Sequence, residues 1–181
     1  AVDDHVRFAA ESDRGWERLP SALIERIAAD RPDVIVKFGM GLLRIPPDEQ
    51  LACPILSYHH GDPRRFRGRP AGFYELLSGA TAMGQIVQHL SNALDAGAVV
   101  AFAETKLHSH SWRQTLVDAY RASPLLLKPA IANALGQATV PIEPIGTNYR
   151  LPSNATAARM LLGQATKKLR RLGYGALVEK R

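Results

Sequence analysis

Short runs of apolar, β-branched residues alternate along the chain with segments of helical spacing. Residues 33–38 read Asp-Val-Ile-Val-Lys-Phe and stop at Gly39, which predicts a short strand buried on both faces. A second such run covers residues 54–58 and ends in polar sequence containing Gly and Pro, from His59 to Pro63. Residues 71–77 place Phe73, Leu76 and Leu77 on one helical face, with Ser78-Gly79 as the stop. Residues 84–90 alternate in part and lead into the loop Ser91-Asn92-Ala93-Leu94-Asp95-Ala96-Gly97. Strand character resumes over residues 98–105, predicting a hairpin with Asp95 at its tip.

Outside this block, residues 19–29 read as a helix begun by Pro20-Ser21, and residues 1–16 contain no convincing strand. Residues 112–135 give one long helix or two helices broken at Pro124 and Pro129. A connector rich in proline (Pro141, Pro144, Pro152) follows over residues 139–152. The last helix spans about residues 155–172, capped by Ser153 or Asn154, with Met160, Leu161 and Leu169 on its apolar face. The order predicts an α/β domain over residues 1–139, then a connector and C-terminal helix over residues 140–181. No internal repeat or low-complexity tract interrupts it.

In an open α/β sheet the ligand crevice lies beyond the carboxyl ends of the strands. His59 therefore stands where chemistry is expected, and Asp95 sits in a second loop that the sheet could bring to it. Taken singly, each has a blander explanation: a histidine after a strand is usually a surface or hydrogen-bonded residue, and Asp-x-Gly is a common hairpin tip. His59, His60 and Asp62 are also potential metal ligands. Adjacent residues of an extended segment point to opposite sides, however, so His59 and His60 do not easily share one ion, and no metal site is expected. His108-Ser109-His110 reads as a solvated turn. Gly39-Met40-Gly41 lacks the third glycine and acidic residue of a dinucleotide loop.

Taken jointly, the residues resemble the folate-dependent formyltransferases, the family of the glycinamide ribonucleotide, methionyl-tRNA and nucleotide-sugar N-formyltransferases. That family's pattern runs Asn-x-His, aromatic-Arg-Gly, an apolar helix, a strand, and Leu-Asp-x-Gly. Ser57-Tyr58-His59 stands at the first position, Phe66-Arg67-Gly68 at the second and Gly84-Gln85-Ile86 at the strand, while Leu94-Asp95-Ala96-Gly97 matches outright. The spacing from His59 to Asp95 also agrees, and the resemblance covers roughly residues 32–136. Two positions depart from the pattern: serine replaces the asparagine at 57, and His60-Gly61-Asp62 replaces the usual Pro-x-Leu.

The resemblance implies a Rossmann-like formyltransferase fold with a mostly parallel sheet and a β-hairpin. It also implies transfer of a formyl group from 10-formyltetrahydrofolate to a primary amine of a small or sugar-nucleotide acceptor. His59 would polarise the formyl oxygen, Asp95 would orient His59 and help take the amine proton, and Ser57 would stand in for the asparagine as an oxyanion donor. Leu42, Leu43, Arg44 and Ile45, with Ala93 and Leu94, would line the folate pocket. Arg64, Arg65 and Arg69, with His60 and Asp62, are the candidates for contacting an anionic acceptor. The competing expectation is a non-catalytic folate- or ligand-binding module.

Family members carry a strand, a Gly-rich turn, a helix and further strands before the segment corresponding to residues 33–38. A domain shortened at its N-terminal side is therefore expected, a natural short form or a fragment, with self-association or a partner chain covering an open sheet edge. The methionyl-tRNA branch carries a larger C-terminal RNA-binding domain than the stretch after Thr139 provides.

Composition narrows this further. The chain has 181 residues, 46% of them hydrophobic, enough for one domain with a sizeable core. A single cysteine, Cys53, excludes an internal disulfide and suits a reducing cytoplasm, the expected location. No stretch reaches membrane-spanning length. The net charge of +6 is concentrated in the Arg64 to Arg69 loop and the Lys167-Lys168-Leu169-Arg170-Arg171 run. No aromatic stacking platform accompanies those cations, which disfavours a nucleic-acid partner.

Overall fold

The computed structural model describes residues 4–45, 51–92 and 97–178. Its central sheet has four strands in the order β3-β5-β7-β8, where β3 is Ile35–Lys37, β5 Ile55–His59, β7 Ala82–His89 and β8 Val99–Lys106. β3 pairs with β5 in parallel, whereas β5 with β7 and β7 with β8 are antiparallel. The α/β class is as expected, but the sheet is mixed rather than mostly parallel. A link as short as that from His89 to Val99 can only return a strand antiparallel. Within the described sheet β3 is an edge strand.

Alternation along β5 sorts its side chains. Leu56 faces helix α3, Trp112–Leu135, and joins Val87, Val100, Ala101, Leu126, Ala130 and Ala134 in the main core. Tyr58 packs against the same cluster. Ser57 and His59 point the other way. α3 remains one helix through Pro124 and Pro129. The stripe that docks on the sheet runs through Ala119, Leu126 and Ala130, while both prolines are exposed, so the carbonyls they leave without a donor lie on the solvent side. Asn133 ties the helix to the sheet by donating to the Val100 carbonyl at 2.7 Å.

A smaller sheet, β1-β2-β4, flanks the first. β1 (Glu11–Asp13) and β2 (Trp16–Arg18) form a hairpin, and β2 pairs in parallel with β4 (Leu42–Leu43). The expectation of no strand before Trp16 is thus corrected. Three-residue strands carry too little alternation to be visible, and here they are held by β4 and by the Arg44 guanidinium lying 4.5 Å over the Trp16 ring. Helix α1 (Ser21–Asp30) packs Ile24 with Leu19 and Leu43 in a second core, joined by Met40, Ile45 and Leu90.

The connector also contains a strand, β9 (Thr147–Tyr149), parallel to β6 (Phe66–Gly68). Tyr149 stacks on Tyr74 of α2 (Phe73–Leu77) with ring centroids 4.1 Å apart. α4 spans Asn154–Val178, and Ser153 accepts the Thr156 amide. Of its expected apolar face only Met160 is buried, while Leu161 and Leu169 are exposed. The helix faces the body at Leu76, Leu77 and Ser109, around Met160, while Leu161 and Leu162 are exposed. No described helix is long and apolar enough to cross a membrane.

Candidate functional site

A cleft of about 350 Å³ opens on the face of the sheet away from α3. Ser57 of β5 and Gln88 of β7 lie at its floor, directly opposite each other in the antiparallel register. One wall is made by Met40, Gly41, Leu42 and Leu43, another by Leu90 and Ser91, and Trp16, Lys37 and Arg69 complete it. The two walls are tied together, because Asn92 donates its side-chain amide to the Ile45 carbonyl at 3.2 Å. Arg44 contributes through its backbone, donating to the Glu17 carbonyl at 2.9 Å, while its side chain covers Trp16. Leu42 and Leu43 therefore border the cleft together with Leu90 and Ser91, whereas Ile45 and Asn92 line an adjoining cavity. Ala93, Leu94 and Asp95 lie outside the described residues.

His59 shares the face of Ser57 and is equally buried, both being 8% exposed, but it does not line the cleft. β5 runs one residue further than the apolar pattern indicates and takes His59 into the sheet, opposite Ile86. Its Nε2 is 3.2 Å from the Phe66 carbonyl oxygen. A carbonyl only accepts, so this nitrogen carries the proton. Gly61 is required beside it: a β-carbon there would meet the Phe66 oxygen at 2.6 Å and His59 Nε2 at 2.7 Å.

His60 lies on the opposite face. Its Nε2 is 2.8 Å from Ser123 Oγ of α3, and its ring meets Tyr120 edge-on at 4.5 Å. Burial, with His59 next to it, lowers its pKa from 6.5 to about 4, so it is neutral at physiological pH. It lines a separate cavity of about 520 Å³ with Phe38, Tyr58 and Tyr120 and does not reach the cleft.

The arginine loop divides in the same way. Asp62 is buried and receives Arg64 through Nε at 2.8 Å and Nη2 at 2.9 Å, an ion pair that occupies both residues. The Arg64 guanidinium lies 4.9 Å over the Phe102 ring, toward β8. Arg65 covers the Phe66 ring at 5.0 Å. Of the three arginines proposed for an anionic acceptor, only Arg69 lines the cleft. The loop can lie this close because β7 has Gly84, where a β-carbon would strike the Asp62 backbone at 2.8 Å.

Several cleft residues, Gln88, Trp16 and Lys37 among them, carried no marker in the sequence, and neither did Glu75, which is buried nearby. Gln88 could have been found from the register of the hairpin, since alternation puts it across from Ser57. Trp16 and Lys37 enter only through the tertiary fold. Glu75, on α2, is 2% exposed. Burial raises its pKa from 4.5 to about 7, the Asp62 charge adds to the rise, and its own backbone amide and Arg65 oppose it.

No protein-family model matches the sequence, and no curated protein matches it closely. Solved structures do resemble it. HypX from Aquifex aeolicus in complex with tetrahydrofolic acid aligns over 81% of this chain and 28% of its own, at 16% identity and a TM-score of 0.55. Methionyl-tRNA formyltransferase from Clostridium thermocellum aligns over 72% and 56%, at 15% identity and a TM-score of 0.52. Phosphoribosylglycinamide formyltransferase from Campylobacter jejuni aligns over 62% and 60%, at 18% identity and a TM-score of 0.52. The chain thus shares the fold of formyl-transfer enzymes while spanning about a quarter of HypX and somewhat over half of the other two.

Proposed function

We propose that this chain binds a reduced folate in the cleft over Ser57 and Gln88. There it transfers the formyl group of 10-formyltetrahydrofolate to a primary amine of a small or sugar-nucleotide acceptor. The observation that carries this reading is the single cleft in which β5, the Met40–Leu43 stretch and the segment entering the Asp95 loop meet. Its apolar walls, Leu42 and Leu90 among them, suit a flat ring system, and Lys37 and Arg69 suit the carboxylates or phosphates of a ligand.

The donor supplies a formyl carbon already activated on nitrogen. His59 donates its Nε2–H, the hydrogen bond shifting from the Phe66 carbonyl to the formyl oxygen as charge develops there. Gln88 accepts the Gly97 amide on its Oε1 at 3.2 Å, which turns its NH₂ away from that contact and makes it the amide donor that Ser57 cannot be. Ser57 adds a shorter hydroxyl donor. Asp95, in the segment joining β7 to β8, orients His59 and takes up the amine proton.

The test is release of tetrahydrofolate on incubating the chain with 10-formyltetrahydrofolate and a panel of amines that includes amino-sugar nucleotides. Formylation is expected in the parent and is lost in His59→Ala and Asp95→Asn. Persistence in both variants contradicts the assigned roles. Absence of any formylated amine, with a folate analogue still bound, favours the non-catalytic module.

A further inference from the structure

α4 rests on the body by its more polar side. Arg159, Met160, Gly163, Gln164 and Lys167 face Leu76, Leu77 and Ser109, and Arg171 donates to His110 Nε2 at 2.7 Å. At about 100° per residue, the opposite side carries Ala155, Ala158, Leu162, Ala165, Leu169 and Leu172. All six are exposed, and the leucines, with Leu161 at the margin, are 58–70% exposed. A surface helix ordinarily turns its apolar stripe to the core, and this one turns it outward. The steps between the six positions are 3, 4, 3, 4 and 3 residues, the a and d spacing of a helix-packing seam.

We propose that this stripe is the docking surface for an acidic amphipathic helix of a partner protein. The period selects a helix, because alternating steps of three and four hold one seam against one facing helix. Ala155, Ala158 and Ala165 let two backbones approach closely, while they offer little apolar surface to a lipid phase. Residues 154–178 contain no Trp or Phe to anchor the helix at a membrane interface. Charge selects the sign of the partner. The same residues include Arg159, Lys167, Lys168, Arg170 and Arg171 and no Asp or Glu. Arg159 borders the stripe on one side and Lys168 on the other, at the e and g positions that set partner choice. A second copy of α4 would bring cations together with no carboxylate on the helix to answer them. Glutamates at the facing positions of a partner would pair with both.

The experiment measures, by fluorescence anisotropy, binding of the full chain to a labelled synthetic helix built of heptads with Leu at a and d and Glu at e and g. Saturable binding that weakens as salt is raised is expected. Leu162→Gln and Leu169→Gln should each weaken it by about 10- to 100-fold, and equal binding in these variants overturns the proposal. A charge exchange leaves the leucines in place: Arg159→Glu with Lys168→Glu is expected to lose the glutamate peptide and to gain one with Lys at e and g. An unchanged preference overturns the proposal, as does failure of the parent to bind. Sedimentation velocity without peptide covers the second copy, and a dimer that Leu169→Gln abolishes overturns the assignment of a foreign helix. Binding to phosphatidylserine vesicles that depends on Leu162 and Leu169, with no peptide bound, overturns it in favour of a membrane surface.

Discussion

His59 and His60 are consecutive in the chain and live in opposite worlds. On one face of β5, Ser57 and His59 meet polar groups: Gln88 stands across from Ser57, and the Phe66 carbonyl lies at His59 Nε2. On the other, Leu56, Tyr58 and His60 meet α3, and even the imidazole is stacked among rings and tethered to Ser123. A strand alternates by geometry alone, so one residue type serves chemistry at one position and packing at the next. Proximity in sequence to a candidate catalyst is therefore poor evidence of a shared role.

The contrast can be broken most severely from the packing face. Leu56 is fully buried, and Leu56→Ala is expected to cost about 2–5 kcal/mol, measured as a lowered denaturant midpoint in urea. On the cleft face the comparable effect is on rate. Gln88→Leu is expected to lower kcat for formyl transfer by about 10²- to 10³-fold, the usual cost of one oxyanion donor, with less loss in Ser57→Ala. A larger loss in Ser57→Ala than in Gln88→Leu would return the main donor role to Ser57.

Gly61→Ala strikes the hinge between the faces. The added methyl collides with backbone and imidazole, an overpacking cost of about 1–3 kcal/mol, read as a drop in Tm. A further effect comes from pH. The pKa of His60 is lowered from 6.5 to about 4 in the folded chain, so the unfolded chain binds protons that the folded one does not. The stability it contributes is present above pH 6.5 and is lost as the pH falls toward 4. Urea midpoints at pH 7 and 4.5 should therefore fall further in the parent than in His60→Gln.

Much of the sheet was legible because its strands carry β-branched runs ended by glycine or polar turns, and the hairpin pairing of β7 with β8 follows from that pattern. Sheet direction was less legible: only one of the central pairings is parallel. The β1-β2-β4 sheet and β9 were hidden, since strands of two or three residues owe their existence to partners far along the chain. In the site, Leu42, Leu43, Ser57 and Arg69, all singled out from the residues, line one cleft, whereas Arg64, Arg65, His60 and Asp62 do not. Arg64 and Asp62 were unreadable as a pair because each looked available until the loop folded them together. Glu75 was unreadable because nothing local marks a carboxylate that the tertiary fold will bury.

The most direct measurement is a crystal structure of the chain with a non-transferable analogue of 10-formyltetrahydrofolate. The account predicts the ring system between Leu42 and Leu90, with the formyl-bearing nitrogen within hydrogen-bonding reach of Ser57, Gln88 and His59. An analogue seated in the aromatic cavity beside His60, or no bound analogue at saturating concentration, would contradict it.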